Sequence, residues 1–252
     1  MGRITETVKV LLIVNVLFYI GSQLIDHDSA MGLLALWFIE NPTFQFWQPI
    51  THMFMHDLTS PMHIIFNMYA LWAFGSPIEK VLGQKRFVFF YFSAGLGAAL
   101  IHTLVNYYDF QSAYQVLIES GLTSSDITKV LEDVFQTGSY YPNPNVPAEV
   151  YERLFSSYLV PAVGASGAIY GVLVAFGVVF PNMELMLMFI PVPIKAKYFI
   201  PGLILIDLFS GLTGFSVFGQ NIANWAHIGG ALFGFIMIWY WKKTSFNQNR
   251  WY

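Results

Sequence analysis

Cysteine is absent from the 252 residues. Disulfides and thiolate metal sites are therefore excluded, and the redox compartment leaves no mark on the chain. Charge is scarce too: Asp, Glu, Lys and Arg make up 11%, against about a quarter in a soluble domain. The net charge is −3 and no Lys/Arg run exceeds two residues, so there is no electrostatic footprint for nucleic acid. Neither a fixed-period repeat nor a low-complexity tract interrupts the sequence. What the chain has in abundance is apolar surface: 56% of residues are hydrophobic and the mean hydropathy is +0.54. That composition specifies an all-α polytopic membrane protein.

Six apolar stretches approach spanning length, at about 10–25, 62–78, 87–105, 159–180, 198–214 and 222–241. Arg3 and Lys9 ahead of the first give it the look of a signal peptide. No A-x-A site follows, and the chain re-enters the membrane five times, so a retained helix is expected. An even number of spans puts both termini on one side. Arg3, Lys9, Lys80, Lys85, Arg86, Lys195, Lys197, Lys242, Lys243 and Arg250 then share that side, and only Lys129 and Arg153 face the other. The positive side is cytoplasmic. Residues 26–61 are dense in Trp37, Phe38, Phe44, Phe46 and Trp47 and form a partly embedded first external loop. Residues 106–158 form an external insertion, with a short amphipathic helix near 125–135 capped by Ser125 or Asp126. A bacterial inner membrane is the expected location, since no Arg-rich amphipathic transit segment precedes the first span.

Topology then brings polar side chains to one depth. The fourth span enters from outside with Ser166 about 10 Å below its start, and the sixth with His227 about 7 Å in. The second span also enters from outside and carries His63 and Asn67 one turn apart. G-x-x-x-G pairs at Gly167/Gly171 and Gly230/Gly234 let the fourth and sixth helices approach closely. Tyr170 shares a face with Ser166 and is placed to lie on the His227 ring. Gly164 and Gly167 leave the Ser166 N–H accessible near a helix N-terminus. Such a donor, with His63 and the Asn67 amide, suits a developing oxyanion. A hydroxyl and an imidazole at one depth suit base-activated nucleophilic catalysis. Each residue alone would more simply be a helix-packing hydrogen bonder; the shared level favours chemistry. His52, His56, His63 and Asn67 are not expected to bind metal, because no membrane carboxylate accompanies them and Pro61 breaks their register. Asp207, mid-span in the fifth helix, is a functional candidate by default. It is expected too far toward the middle to meet Ser166, in a helix-packing or water-bridging role.

The ordered motifs identify a family resemblance. Trp47-Gln48-Pro49-Ile50-Thr51-His52-Met53-Phe54-Met55-His56 resembles the first-loop motif of rhomboid intramembrane serine proteases. His63-Ile64-Ile65-Phe66-Asn67 resembles their second-helix motif, and Gly75, Glu79, Gly83 and Arg86-Phe87 the stretch that follows. Gly164-Ala165-Ser166-Gly167 is similar to their nucleophile motif and Ala226-His227-Ile228-Gly229-Gly230 to their base motif. The resemblance implies a six-transmembrane-helix rhomboid-like bundle with Ser166 as nucleophile and His227 as general base, in a dyad with no Asp. It implies an oxyanion hole from His63, Asn67 and the Ser166 N–H, and Tyr170 supporting the His. Substrates would be transmembrane segments of other proteins, entering from the bilayer near the second and fifth helices. The loop 215–221, hinged at Gly214 and Gly219, would cap the site, and no metal or organic cofactor is implied.

Gln48 stands where the family usually has Arg, which implies a different anchoring of the first loop. A dyad also lacks the group that fixes the His tautomer, so slow turnover is expected, offset by packing from Tyr170. An inactive client-binding relative is disfavoured by the presence of both Ser166 and His227. A transporter is disfavoured by the lack of two related halves. Oligomeric state is not written in the sequence.

Overall fold

The computed structural model describes residues 3–187, 190–215 and 223–244. Helix α1 spans Glu6–Leu24, α2 His27–Leu34 and α3 Gln48–Thr51. Helix α4 (Pro61–Ala70) continues through a π turn at Leu71–Gly75 into α5 (Ser76–Leu82). Next come α6 (Gln84–Glu119), α7 (Ser124–Thr137), α8 (Ala148–Leu159) and α9 (Ser166–Val179). A hairpin of β1 (Glu184–Leu187) and β2 (Ile190–Lys195) leads to α10 (Ala196–Thr213) and α11 (Asn224–Thr244). Among the described helices, α1, α6 and α10 are long and apolar enough to cross a membrane, and α9 is a shorter apolar helix. Apart from this short hairpin the described fold is helical, as the all-α expectation has it.

The bundle centres on α9, whose residues Gly167–Phe176 are all buried between α6 and α11. Small residues make this possible. A Cβ on Gly230 would sit 1.8 Å from the Gly167 carbonyl oxygen, and one on Gly234 would sit 2.5 Å from the Gly171 Cα. The α9 and α11 backbones are thus in direct contact along both G-x-x-x-G pairs, the arrangement that drives helix association in lipid.

Two ties hold the periphery. The first turn of α1 has amides without intrahelical acceptors. The buried Glu79 carboxylate of α5 takes the Thr7 and Val8 N–H groups at 3.0 and 2.9 Å, together with the Thr5 hydroxyl. In the first loop, Gln48 is fully buried. Its amide nitrogen donates to the carbonyls of Gly32 (2.9 Å) and Thr43 (3.0 Å), and its oxygen accepts the Trp37 N–H at 3.3 Å. A neutral amide, with donors and an acceptor, therefore anchors the loop at the position where the resemblance implies Arg.

Several boundaries differ from the expectations. Helix α6 does not end near 105 but runs 36 residues, about 54 Å at the helical rise. Asn106, Tyr107, Tyr108 and Asp109 end the apolar run without ending the helix. Phe110, Ala113 and Leu117 continue one buried face against α8. The amphipathic helix α7 is capped by Thr123, not by Ser125 or Asp126. Asp126 is its third residue, and its carboxylate takes the Thr123 N–H while the Thr123 hydroxyl takes the Asp126 N–H. Helix α8, which follows Pro147, had no counterpart in the sequence reading. In the fourth stretch the helix starts only at Ser166. Before it, Ala162 pairs with Leu36 through two 2.9 Å backbone hydrogen bonds.

Candidate active site

The segment before α9 is extended and then turns sharply at Gly164. Its φ is +118°, and a Cβ there would meet His63 Nε2 at 2.9 Å. Only glycine suits both demands. The Gly164 N–H donates to the His52 carbonyl at 2.9 Å, so the first loop holds the turn in place. His52 thus acts through its backbone, and its own ring Nδ1 lies 2.9 Å from the Gln48 carbonyl. Ser166 follows as the first residue of α9, where its N–H has no intrahelical acceptor.

Helix α11 brings His227 to Ser166, with Nε2 2.8 Å from the serine Oγ. Tyr170, one turn along α9, lies flat on the imidazole with ring centroids 4.1 Å apart and planes 9° apart. The other ring nitrogen, Nδ1, faces Asp207 Oδ1 of α10 at 3.3 Å. The Tyr170 hydroxyl donates to the second oxygen of the same carboxylate. With a carboxylate at Nδ1, the neutral ring carries its proton there, which leaves the Nε2 lone pair for the serine hydroxyl.

This corrects the sequence reading of Asp207, which was expected away from Ser166 in a site without Asp. Counted from Gly214, at the end of the fifth stretch that the sequence is expected to turn outward, Asp207 is seven residues in. That is about 10 Å, the depth assigned to Ser166. The middle of a short span is not far from a site cut that deeply. Ala196, Ile200, Asp207 and Ser210 all lie on the buried face of α10, at spacings of four, seven and three, so helical phase also points Asp207 inward.

His63 comes in from α4. The Asp57 N–H approaches its Nδ1 at 3.3 Å, so the neutral ring carries its proton on Nε2, the atom beside Gly164. A donor is thereby aimed at the turn that carries Ser166. The buried Asn67 amide donates to the His63 carbonyl at 2.9 Å, back along its own helix. Residues 216–222, which include Gly219 and nearly all of the expected cap, lie outside the described residues. Gly214 ends α10 in the left-handed conformation. A cavity of about 540 Å³ between the first loop and α6–α8, lined by Glu40, Phe110, Tyr114, Leu131, Phe135 and Tyr158, contains none of these site residues.

Comparison with known proteins gives the family. The Rhomboid domain family model matches residues 43–122 and 129–244. The chain belongs to the rhomboid family. It is 32% identical over 182 residues to the mouse presenilin-associated rhomboid-like protein, mitochondrial, covering 72% of this chain and 34% of the relative. The human counterpart is 31% identical over the same shares. Rhomboid protease GlpG of Salmonella choleraesuis is 38% identical over 79 residues, 31% of this chain and 28% of the relative. The chain spans about a third of the length of the curated relatives it matches. It is an integral membrane protein, and rhomboid family members are generally intramembrane serine proteases. Relatives named as mitochondrial stand beside bacterial ones, so the likeness does not single out a bacterial membrane. The matched range takes in most of residues 106–158.

Proposed function

We propose that this rhomboid is an intramembrane serine endopeptidase that hydrolyses peptide bonds in or beside transmembrane segments of other membrane proteins. The observation that carries the proposal is the 2.8 Å contact between Ser166 Oγ and His227 Nε2, with the imidazole's other nitrogen already occupied. His227 takes the hydroxyl proton as Ser166 Oγ bonds to the scissile carbonyl carbon. The oxyanion is stabilised by the Ser166 N–H at the start of α9, by His63 Nε2–H and by the Asn67 amide. The C–N bond then breaks as His227 returns the proton to the leaving amine. Water, deprotonated by the same ring, releases the acyl group and regenerates the serine. The extended segment before α9 supports water access, since irregular backbone at membrane depth belongs beside protein or a wet cavity.

The proposed topology has six spans with both termini on the cytoplasmic side, supported by ten of the twelve Lys and Arg residues on that side. The site then opens toward the outer face, in a bacterial inner membrane by our reading, and substrates enter from the bilayer beside α4 and α10. Residues 106–158, read as an external insertion, are carried on α7, α8 and the outer third of α6. Substrates with Gly, Pro or small polar residues near the cleaved bond should be preferred, because a helix must unwind before attack.

The test is fluorophosphonate labelling in detergent micelles, with cleavage of a model single-span substrate in liposomes. The wild type should label and cut, while Ser166→Ala and His227→Ala do neither although folded. A folded wild type that neither labels nor cuts overturns the proposal.

A further inference from the structure

The carboxylate of Asp207 is the deepest-set charge-bearing group of the site, only 3% exposed at its side chain. An ionisable group in such surroundings is costly unless hydrogen-bonded or paired. Among the described residues no lysine or arginine forms an ion pair with it. Its hydrogen-bond partners are the Tyr170 hydroxyl on Oδ2 and His227 Nδ1 on Oδ1. Both belong to the site, and each oxygen has its own donor. Helix packing would be served as well by an aliphatic side chain on this face of α10, without the desolvation cost.

We propose that Asp207 is the positioning residue for His227, so that the chain works as a Ser166–His227–Asp207 relay with Tyr170 as clamp. The inference rests on the serine endopeptidase reading and deepens it. Asp207 accepts the Nδ1 proton and so selects the tautomer whose Nε2 lone pair faces Ser166. When that nitrogen takes the serine proton, the imidazolium sits against the carboxylate, and Asp207 itself exchanges no proton. Tyr170 fixes both partners at once: its ring lies on the imidazole and its hydroxyl holds the second carboxylate oxygen, so the carboxylate cannot rotate away from Nδ1.

The geometry also bounds the effect. Asp→Asn in a soluble triad costs about 10⁴ in turnover. Here the Nδ1–Oδ1 separation of 3.3 Å exceeds the roughly 2.8 Å of a tight charge-assisted bond, and Tyr170 restrains the ring independently. A smaller loss, about 10- to 100-fold, is expected.

The test uses the full chain in detergent micelles, comparing wild type with Asp207→Asn, Asp207→Glu and Tyr170→Phe. Three quantities are read: the rate constant for fluorophosphonate labelling of Ser166, the thermal midpoint, and the ¹⁵N spectrum of His227, assigned against His227→Gln. Asp207→Asn should label about 10- to 100-fold more slowly, with its midpoint little changed and the Nδ1–H tautomer replaced by a mixture. Asp207→Glu should recover part of the rate, and Tyr170→Phe should slow labelling by about 3-fold with the stack intact. Should Asp207→Asn not fold, Asp207→Glu and Tyr170→Phe carry the same comparison of rate with tautomer. Labelling at the wild-type rate with an unchanged His227 spectrum in the folded variants overturns the relay while leaving the endopeptidase reading in place. An unlabelled wild type whose tautomer still depends on Asp207 sinks the endopeptidase reading and leaves the positioning role standing.

Discussion

The Tyr170 ring lies flat on the His227 imidazole, with planes 9° apart and centroids 4.1 Å apart. An imidazole pinned on one face by an aromatic ring has little freedom about its outer torsion, so its Nε2 stays aimed at the serine. Stacked aromatic pairs are worth about 0.5–1.5 kcal/mol beyond their buried area. Tyr170→Ala removes both stack and hydroxyl and should lower kcat for a model transmembrane substrate by about 10- to 100-fold. Tyr170→Phe retains the stack and should remain clearly more active. Equal kcat in the two variants, measured in proteoliposomes, would show that the stacked ring does nothing for turnover.

His63 should act on the transition state more than on substrate binding. Its Nε2 lies beside Gly164, and the Asp57 amide fixes which nitrogen carries the proton. His63→Ala should cut kcat by about 10²- to 10³-fold, the usual effect of removing one oxyanion donor, with KM nearly unchanged. Steady-state cleavage of the same substrate reads both. A rise in KM at constant kcat would move His63 from oxyanion binding to substrate binding.

Glu79 makes stability depend on pH in a defined direction. It lies just outside the expected second span. Burial pushes its carboxyl upward, but the hydrogen bonds from Thr5, Thr7 and Val8 outweigh this and hold it below the ordinary glutamate range. A depressed folded value means that the stabilisation is complete above the ordinary value of about 4.3 and is lost as pH falls through the folded one. Glu79→Gln should cost about 1–3 kcal/mol at neutral pH. The gap between the two thermal midpoints should narrow from about pH 5 downward. A gap that stays constant down to pH 3 would show that the tie of α5 to α1 does not depend on the charge.

Gln48 offers a test of local chemistry against family habit. Gln48→Ala strands the Trp37 amide and two carbonyls in a buried loop, and should destabilise the fold by about 1–3 kcal/mol. Gln48→Arg can still serve the Gly32 and Thr43 carbonyls but brings no acceptor for Trp37. Thermal unfolding should therefore rank wild type above Arg and Arg above Ala. An Arg variant as stable as wild type would mean that the Trp37 hydrogen bond contributes nothing.

Much of this was legible in the chain. The apolar runs placed α1, α10 and α11 to within a few residues, because hydrophobic length is a direct signal in lipid. The sequence expects Ser166, His227 and His63 at one level, and in the fold Ser166 Oγ lies 2.8 Å from His227 Nε2. The glycine pairs named the helices that touch. Other features needed coordinates for specific reasons. Helix α6 outlasts its apolar run because packing against α8 takes over from lipid as its partner, and hydropathy alone does not record that exchange. Helix α9 starts at 166 and not at 159 because pairing with Leu36 and the turn at Gly164 keep the chain extended. Pro161 and Gly164 mark that break in the sequence, but an unbroken apolar run hides it from hydropathy. Asp207 reaches the site because it lies about two turns from the nearer end of α10 and in phase with the buried Ile200 and Ser210, two signals that its place near the middle of the apolar run conceals.

The contact of Gly230 with Gly167 and of Gly234 with Gly171 carries a lesson about where catalytic accuracy resides. The distance from Ser166 to His227 is set by how closely two backbones approach, and that approach depends on methyl groups that are missing. Positions with no functional group to offer thus govern the chemistry of those that have one. A search by reactive side-chain type passes over them, yet adding a single carbon at Gly230 would push Ser166 and His227 apart.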